Sequence, residues 1–484
     1  MFPRLQLEPE SAVPLYRQVY TLIRDAITSG ALRPGERIPA TRDLAGMLGL
    51  NRTTVAAAYE LLETEGLVRG HVGRGSFVAG PGERPVAPDW MREPAAAAAA
   101  LPPEPEGVIS FSAARPAAGL FPLDEFRRTC EEVLASPAAR SILQLGSPYG
   151  YAPLREYLIT EGRRSGLVSD GDDVLITNGC QQALDLLQRT LVRPGETVLV
   201  EDPVYPGVRN LFLQAGAHLA ALPVGSSGIS PAALEAAPEA RLLVTTPNFQ
   251  SPTGGTLPLD ARPELLRAAR VRGLAVIEND IYGELRYAGQ PLPALKQLDG
   301  DGRVVLLRSF SKIAFPGLRV GWISGPAALI AKLAEAKQLA DLHTDQLSQA
   351  VLLRFAETGR LAAHVARVVA AGAERLRAAL AACEEFLPAG TQFTRPEGGM
   401  NIWVRLPEPL DAGLLLARAH REGVAYVPGR YFEVERHDAA ALRLSFGALE
   451  PEDIRRGLSI LGRIVREELA QARSVPRAAA PAMV

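Results

Sequence analysis

The chain predicts an α/β protein in two units: a small head of helices closed by a hairpin, and a large tail built on a mainly parallel sheet. Three observations predict it. Residues 81–107 read PGERPVAPDWMREPAAAAAALPPEPEG, and proline at that density precludes regular structure beyond a short turn through the alanines. Before this tether, apolar residues recur at helical spacing. After it, short and nearly continuous apolar runs alternate with helical patterns, as buried strands joined by crossover helices require. A length of 484 residues accommodates two or three domains.

Composition narrows the function classes. With 47% hydrophobic and 22% charged residues the chain can bury a sizeable core. A net charge of −2 gives no global attraction to nucleic acid or membrane. Cys130, Cys180 and Cys383 lie too far apart to form a disulfide framework or a metal set. The first residues lack a basic-then-apolar signal pattern, and no apolar run is long enough to span a bilayer. A reduced, cytoplasmic protein without a metal is expected.

In the head, taken as residues 12–79, Leu15, Val19, Leu22, Ile23, Ala26 and Ile27 mark a first helix that Gly30 and Pro34-Gly35 end. Thr41 is expected to cap a second helix carrying Leu44, Ala45 and Leu48. Gly49-Leu50-Asn51 makes the turn into a third helix, Arg52 to Gly66, that buries Val55, Tyr59, Leu61 and Leu62. Leu67–Arg69 and Ser76–Val78 then form a hairpin around Gly73, Arg74 and Gly75. In a helix-turn-helix the start of the second helix of the pair enters the major groove. Asn51, Arg52, Thr53 and Thr54 stand there, and Arg42, Gly73 and Arg74 fall where phosphates and the minor groove would lie. Residues 1–80 carry nearly balanced charge, so any DNA affinity must come from local placement.

In the tail, Val174–Thr177, Thr197–Val200, Arg241–Val244, Leu274–Ile277 and Val304–Leu307 read as buried strands. Ligands of such sheets bind beyond the strand ends, and the candidate residues stand there. Asn178, Gly179, Cys180 and Gln181 open a helix whose free N–H groups suit a phosphate. Tyr205 could stack on a flat ring. Asp280 ends the strand LAVIEND, with Tyr282 two residues on; a carboxylate against a pyridine nitrogen makes the ring an electron sink.

Lysine usage singles out one amine. Of the 52 lysines and arginines only four are lysine: Lys296, Lys312, Lys332 and Lys337. Lys312 lies in SFSKIAFPGLR, flanked by Ser309 and Ser311 and followed by Arg319. A guanidinium cannot replace an amine that must form a Schiff base. Hydroxyls and an arginine beside such an amine are the chemistry of a pyridoxal 5′-phosphate (PLP) site. Arg443, inside the apolar strand LRLSF, needs an anionic partner, and a ligand carboxylate fits.

The head segment from PLYRQV to GRGSFV resembles the winged helix of GntR-type regulators, notably in LRPGERIPATRDLA and NRTTV. The tail motifs GYAPLREYL, TNGCQQALDL, EDPVYPGVR, TTPNFQSPTGG, ENDIYGELRY, SFSKIAFPGLRVGW, PEGGMNIWV, VPGRYF and LRLSFG resemble fold-type I PLP enzymes of the class I/II aminotransferase group. Together they resemble the MocR-type regulators. That resemblance implies a winged helix-turn-helix at 12–79, a linker at 80–107 and a PLP-binding domain at 108–468. The last would have a large, mainly parallel sheet domain and a small C-terminal α+β subdomain, with a disordered tail at 469–484. It also implies a homodimer, a double-stranded DNA operator and a small carboxylate-bearing amino acid or amine effector. A working aminotransferase is the alternative. Three departures from the family stand out: Ser251 where asparagine is usual, Leu145 where a tyrosine reaches the partner's phosphate, and Ala114 for glycine, which sets Arg115 at the substrate entrance.

Overall fold

A computed structural model of the chain describes residues 7–8, 13–71, 75–79, 104–435 and 437–474. The chain divides into two compact units, Met1–Ala98 and Ala99–Val484. Most of the tether, including its alanines, and the expected DNA-contacting Gly73 and Arg74 lie outside the described residues.

The head runs α1 (Leu15–Thr28), β1 (Arg37–Ile38), α2 (Thr41–Leu48), α3 (Arg52–Thr64), β2 (Val68–His71) and β3 (Gly75–Val78), and its strands pair antiparallel in the order β1-β3-β2. Val19, Ile23 and Ile27 of α1 meet Leu44 of α2 and Val55, Ala58, Tyr59 and Leu62 of α3 in one apolar cluster. Gly49 takes the left-handed conformation at the end of α2, with φ 66°, which a glycine adopts without steric cost. Two local expectations are corrected. Thr41 is the first helical residue and Ala40 the cap, without a side-chain bond; the approach is fixed instead by Tyr59, whose hydroxyl donates to the Pro39 carbonyl at 2.7 Å. On α3 the buried set is spaced 55, 58, 59, 62, so Ala58 lies in the core and Leu61 is half-exposed.

The tail holds an eight-stranded sheet: β4 (Asp172–Thr177), β5 (Thr197–Asp202), β6 (His218–Gly225), β7 (Gly228–Ile229), β8 (Leu242–Thr245), β9 (Ala275–Asn279), β10 (Val304–Ser309) and β11 (Gly321–Pro326). Their order is β4-β11-β10-β9-β8-β5-β6-β7. β6, β5, β8, β9 and β10 pair parallel in succession, while β11 runs antiparallel between β10 and β4. The five strands read from the sequence are all present, with ends displaced by one or two residues. One face packs on the helix Gly179–Leu191, joining Leu184 and Leu187 to Ile277, Leu307 and Ile323. The other packs on the helix Ala261–Val271, joining Leu265 to Val276 and Val304. A smaller four-stranded antiparallel sheet follows: β12 (Gln392–Phe393), β13 (Asn401–Arg405), β14 (Val427–Pro428) and β15 (Ala441–Ser445), in the order β12-β13-β15-β14. Helix Pro451–Ser474 packs against it and runs past the expected limit at 468.

Strand β9 carries a buried carboxyl that makes stability depend on pH. Glu278 accepts N–H groups of Leu295 at 2.7 Å and Lys296 at 2.8 Å. Burial, with the neighbouring Asp280 charge, nevertheless raises its pKa well above the ordinary carboxylate range. The folded chain therefore binds more protons than the unfolded chain between the ordinary carboxyl pKa and the raised one. Stability is expected to fall as pH rises through that window, by up to about 1.4 kcal/mol per unit from this group. Denaturant unfolding of wild type and Glu278→Gln across pH 4.5–7.5 should show this component of the slope in wild type and not in the variant.

Candidate functional site

The carboxyl ends of the parallel strands converge on a cavity of about 300 Å³. Its lining brings together the expected Cys180, Gln181, Tyr205, Ser251, Tyr282, Ser309, Ser311, Lys312, Arg319 and Arg443. Lys312 Nζ donates to the Ala114 carbonyl at 2.5 Å and sits 5.6 Å from the centre of the Tyr282 ring. The other lysines are accounted for elsewhere. Lys296 pairs with Asp172 at 3.0 Å and Lys337 with Asp341 at 2.6 Å, both amines buried, while Lys332 is exposed.

One end of the cavity is built for an anion. Ser309 ends β10, where its hydroxyl donates to Ser311 Oγ at 3.0 Å and receives the Ser311 N–H at 3.1 Å. Arg319 Nη1 donates to Ser311 Oγ at 3.4 Å, and its Nη2 reaches the Asn178 carbonyl at 3.3 Å, just before the helix that Gly179 opens. Glycine suits this position because its φ is 71°, and a Cβ on it would crowd Arg319 Nη2 at 2.6 Å. A guanidinium, two hydroxyls and a helix N-terminus thus face one small volume. Tyr205 forms a wall, its hydroxyl 3.3 Å from Gln181 Oε1.

The other end holds a cation without a counter-charge. Arg443, in the middle of β15, donates from Nη2 to the Ser112 carbonyl and lies 4.9 Å over the Phe432 ring, while its buried Nε has no partner. Burial pulls its pKa down to about 10. A buried guanidinium short of a partner is relieved by a ligand carboxylate.

Two expected site residues are placed elsewhere. Arg115 is exposed and is not part of the lining. Asp280 is buried, but its carboxylate is engaged on the opposite face of the sheet: Oδ1 accepts from Asn248 Nδ2 at 2.8 Å and Oδ2 pairs with Arg308 at 2.6 Å. Asn248 is in turn held by the fully buried Arg262, whose Nη2 donates to Asn248 Oδ1 at 2.6 Å. Arg308 and Glu284 line a separate, larger cavity of about 630 Å³ on that face. The β9 residue that lines the Lys312 cavity is Asn279, 3% exposed, with a buried Oδ1 that lacks any partner. Alternation explains the exchange. Side chains two apart share a face of a strand, so Asn279 goes with Ile277 towards the Gly179 helix, and Asp280 goes with Glu278 away from it. Register agrees, since Asn279 pairs with Leu307, which packs on that helix. Counting in twos along LAVIEND would have found Asn279. Leu184 and Ile281, also in the lining, carried no distinguishing signal.

In the head, Arg42, Asn51, Arg52 and Thr53 are exposed at the starts of α2 and α3, and Thr54 is half-buried. Asn51 also caps α3, accepting the Thr53 N–H at 3.2 Å.

Replacing Arg443 by leucine separates recognition from stability. Affinity for a carboxylate-bearing amine should fall by about 2–5 kcal/mol, roughly 30-fold or more, as when one member of a buried charge pair is removed. The melting temperature should hold or rise, because an unpaired buried charge is removed. Calorimetric titration and a thermal melt of the same preparation check both.

Comparison with known proteins agrees with this architecture. Residues 117–461 match the family Aminotransferase class I and II, and residues 15–78 match Bacterial regulatory proteins, gntR family. The HTH-type transcriptional regulator TauR of Rhodobacter capsulatus is 32% identical, over 95% of this chain and 98% of its own length. The "Probable rhizopine catabolism regulatory protein MocR" of Rhizobium meliloti is 30% identical, over 94% and 95%. The crystal structure of the multiple substrate aminotransferase from Thermococcus profundus superposes with a TM-score of 0.73 at 35% identity, covering 76% of this chain and 93% of that one.

Proposed function

The chain belongs to the MocR type of regulator, a GntR-family head joined to a class I and II aminotransferase domain, and is a PLP-binding transcriptional regulator; from that premise we propose that Lys312 holds the cofactor as a Schiff base and that a carboxylate-bearing amino acid or amine is the effector. The observation that carries this is the buried, under-partnered Arg443 facing the same cavity as the one lysine at the sheet edge. The residues fit PLP on their own chemistry. Ser309, Ser311, Arg319 and the N-terminus opened by Gly179 would hold its phosphate, and the space a Cβ on Gly179 would fill is kept clear. When bound, PLP supplies an aldehyde that an amine can attack.

The side chains then divide the work. Lys312 provides the amine and a proton carrier at Nζ. Tyr205, partly open to solvent, and the buried Tyr282 would border the ring's space. Cys180 and Gln181 shape the phosphate end, and Ser251 offers a hydroxyl to the ring's edge. Arg443 orients the effector by its carboxylate. The head reads a double-stranded operator through Arg52, Thr53 and Thr54, with Arg42, Asn51, Gly73 and Arg74 positioning it on the backbone. We place the protein in the cytoplasm as a homodimer; exposed Leu143 and Leu145 support a subunit contact. In this reading the domains are a winged helix at 12–79, a linker at 80–107 and a PLP domain over 108–468. A working aminotransferase is the lesser reading, because turnover needs neither Arg52 nor a wing.

The visible absorption spectrum tests the proposal. PLP added to the full chain should give a Schiff-base band that Lys312→Ala lacks. One member of a panel of amino acids and amines should shift the band and change operator affinity about 5- to 150-fold, the range of ordinary allosteric coupling. Steady release of an oxo acid without any change in DNA binding would favour the enzyme. Arg52→Ala should weaken operator binding by about 1–3 kcal/mol, measured at fixed salt.

A further inference from the structure

We propose that Asn279, not Asp280, faces the ring nitrogen of the cofactor, so that this site binds PLP and an amine without making the ring a strong electron sink. The inference rests on the reading of Lys312 as the PLP-binding lysine. Three observations lead to it. Asn279 is the β9 side chain in the cavity, buried, with an unsatisfied Oδ1. Asp280 has both oxygens engaged on the far face of the sheet, by Asn248 and by the Arg308 guanidinium. No other carboxylate lines the cavity among the described residues, whereas three cations do: Lys312, Arg319 and Arg443.

The chemistry follows from charge. A carboxylate beside a pyridine nitrogen stabilises the protonated ring, and the positive ring withdraws electrons from the carbon that must lose its proton. An amide is neutral. Its Oδ1 accepts from a protonated nitrogen and, with the amide turned over, its Nδ2 donates to an unprotonated one; lacking charge, it positions the ring without holding a proton there as a carboxylate does. With cations around the cavity and no anion in its lining, the neutral ring is the favoured form. Proton removal from the amino acid's Cα by Lys312 is correspondingly slow, while capture of the amine and its carboxylate is untouched. Asn279 is thus a residue that sets binding against turnover.

The test is nitrogen magnetic resonance of full-length protein loaded with PLP carrying ¹⁵N in the ring, which reads ring protonation without any turnover. Wild type should show an unprotonated pyridine nitrogen at neutral pH. Asn279→Asp should move it to the pyridinium position and speed exchange of the Cα proton of a bound amino acid into D₂O about tenfold or more, equivalent to about 1.4 kcal/mol. Asp280→Asn should leave the resonance in place. A pyridinium signal in wild type overturns the proposal without needing any variant to fold. So does a resonance that Asp280→Asn moves and Asn279→Asp does not. In either case a Lys312-dependent visible band still stands for the underlying reading. Absence of that band overturns both.

Discussion

A parallel sheet buried on both faces leaves one place for chemistry, the edge where its strands end. Every group in the cavity of the tail domain is delivered there. Gly179 follows β4, Tyr205 follows β5, Ser251 follows β8, Asn279 ends β9 and Ser309 ends β10. The antiparallel β11 obeys the same geometry in reverse, since its beginning lies at that edge and Arg319 precedes it. Arg443 arrives from a different sheet, which is why the cavity has an anion-binding group at each end. The core clusters on the two faces of the sheet hold these strand ends in fixed register, and the close approach of the Gly179 backbone leaves no room for a side chain at Gly321.

Charge is distributed with the same economy. Buried cations elsewhere in the tail domain are bonded to acceptors that hold them: Lys296 to Asp172, Lys337 to Asp341, Arg375 to Glu450, and Arg262 to a ring of carbonyls and Asn248. Arg443 has one carbonyl and an aromatic face, and its pKa is lowered by burial with no carboxylate to offset it. Desolvation without compensation is costly to the fold. A protein keeps such a residue where a ligand completes it, and this contrast with its own neighbours supports the proposed role of the arginine.

Much of this was legible in the sequence, and the exceptions have specific causes. The strands were legible because buried strands are continuous apolar runs, and Lys312 stood out in a chain that uses arginine almost everywhere. The head's helices followed from apolar spacing and from Gly49. What failed was the face of a residue at a strand end. A carboxylate beside a tyrosine looked like the ring's partner, but alternation along β9 turns Asp280 away and Asn279 inward, and one residue is the whole difference between faces. The destination of Asp280 was not readable at all, because Asn248, itself held by Arg262, and Arg308 meet it only through tertiary packing. Thr41 failed for a related reason. A hydroxyl at a helix start is a common cap, but the Tyr59 hydroxyl on Pro39 sets where the chain turns.

Ser251 and Asn279, at the proposed ring edge, acquire a common sense in a regulator. A sensor reports concentration only if its ligand binds and leaves unchanged, because coupling is a difference in binding free energy between two arrangements of the protein. An enzyme that converts its ligand on each encounter reports a flux instead. In the proposed site Lys312 and Arg443 are the two attachment points, for amine and carboxylate, that would give affinity and orientation. In the proposed site Ser251 would offer a shorter hydrogen-bonding group and Asn279 a neutral one where charge would drive the reaction, which would retain affinity while slowing chemistry. The fold of an aminotransferase thus needs few changes to become a reader of amines, and those changes belong among the residues that touch the ring rather than among those that grip its substituents.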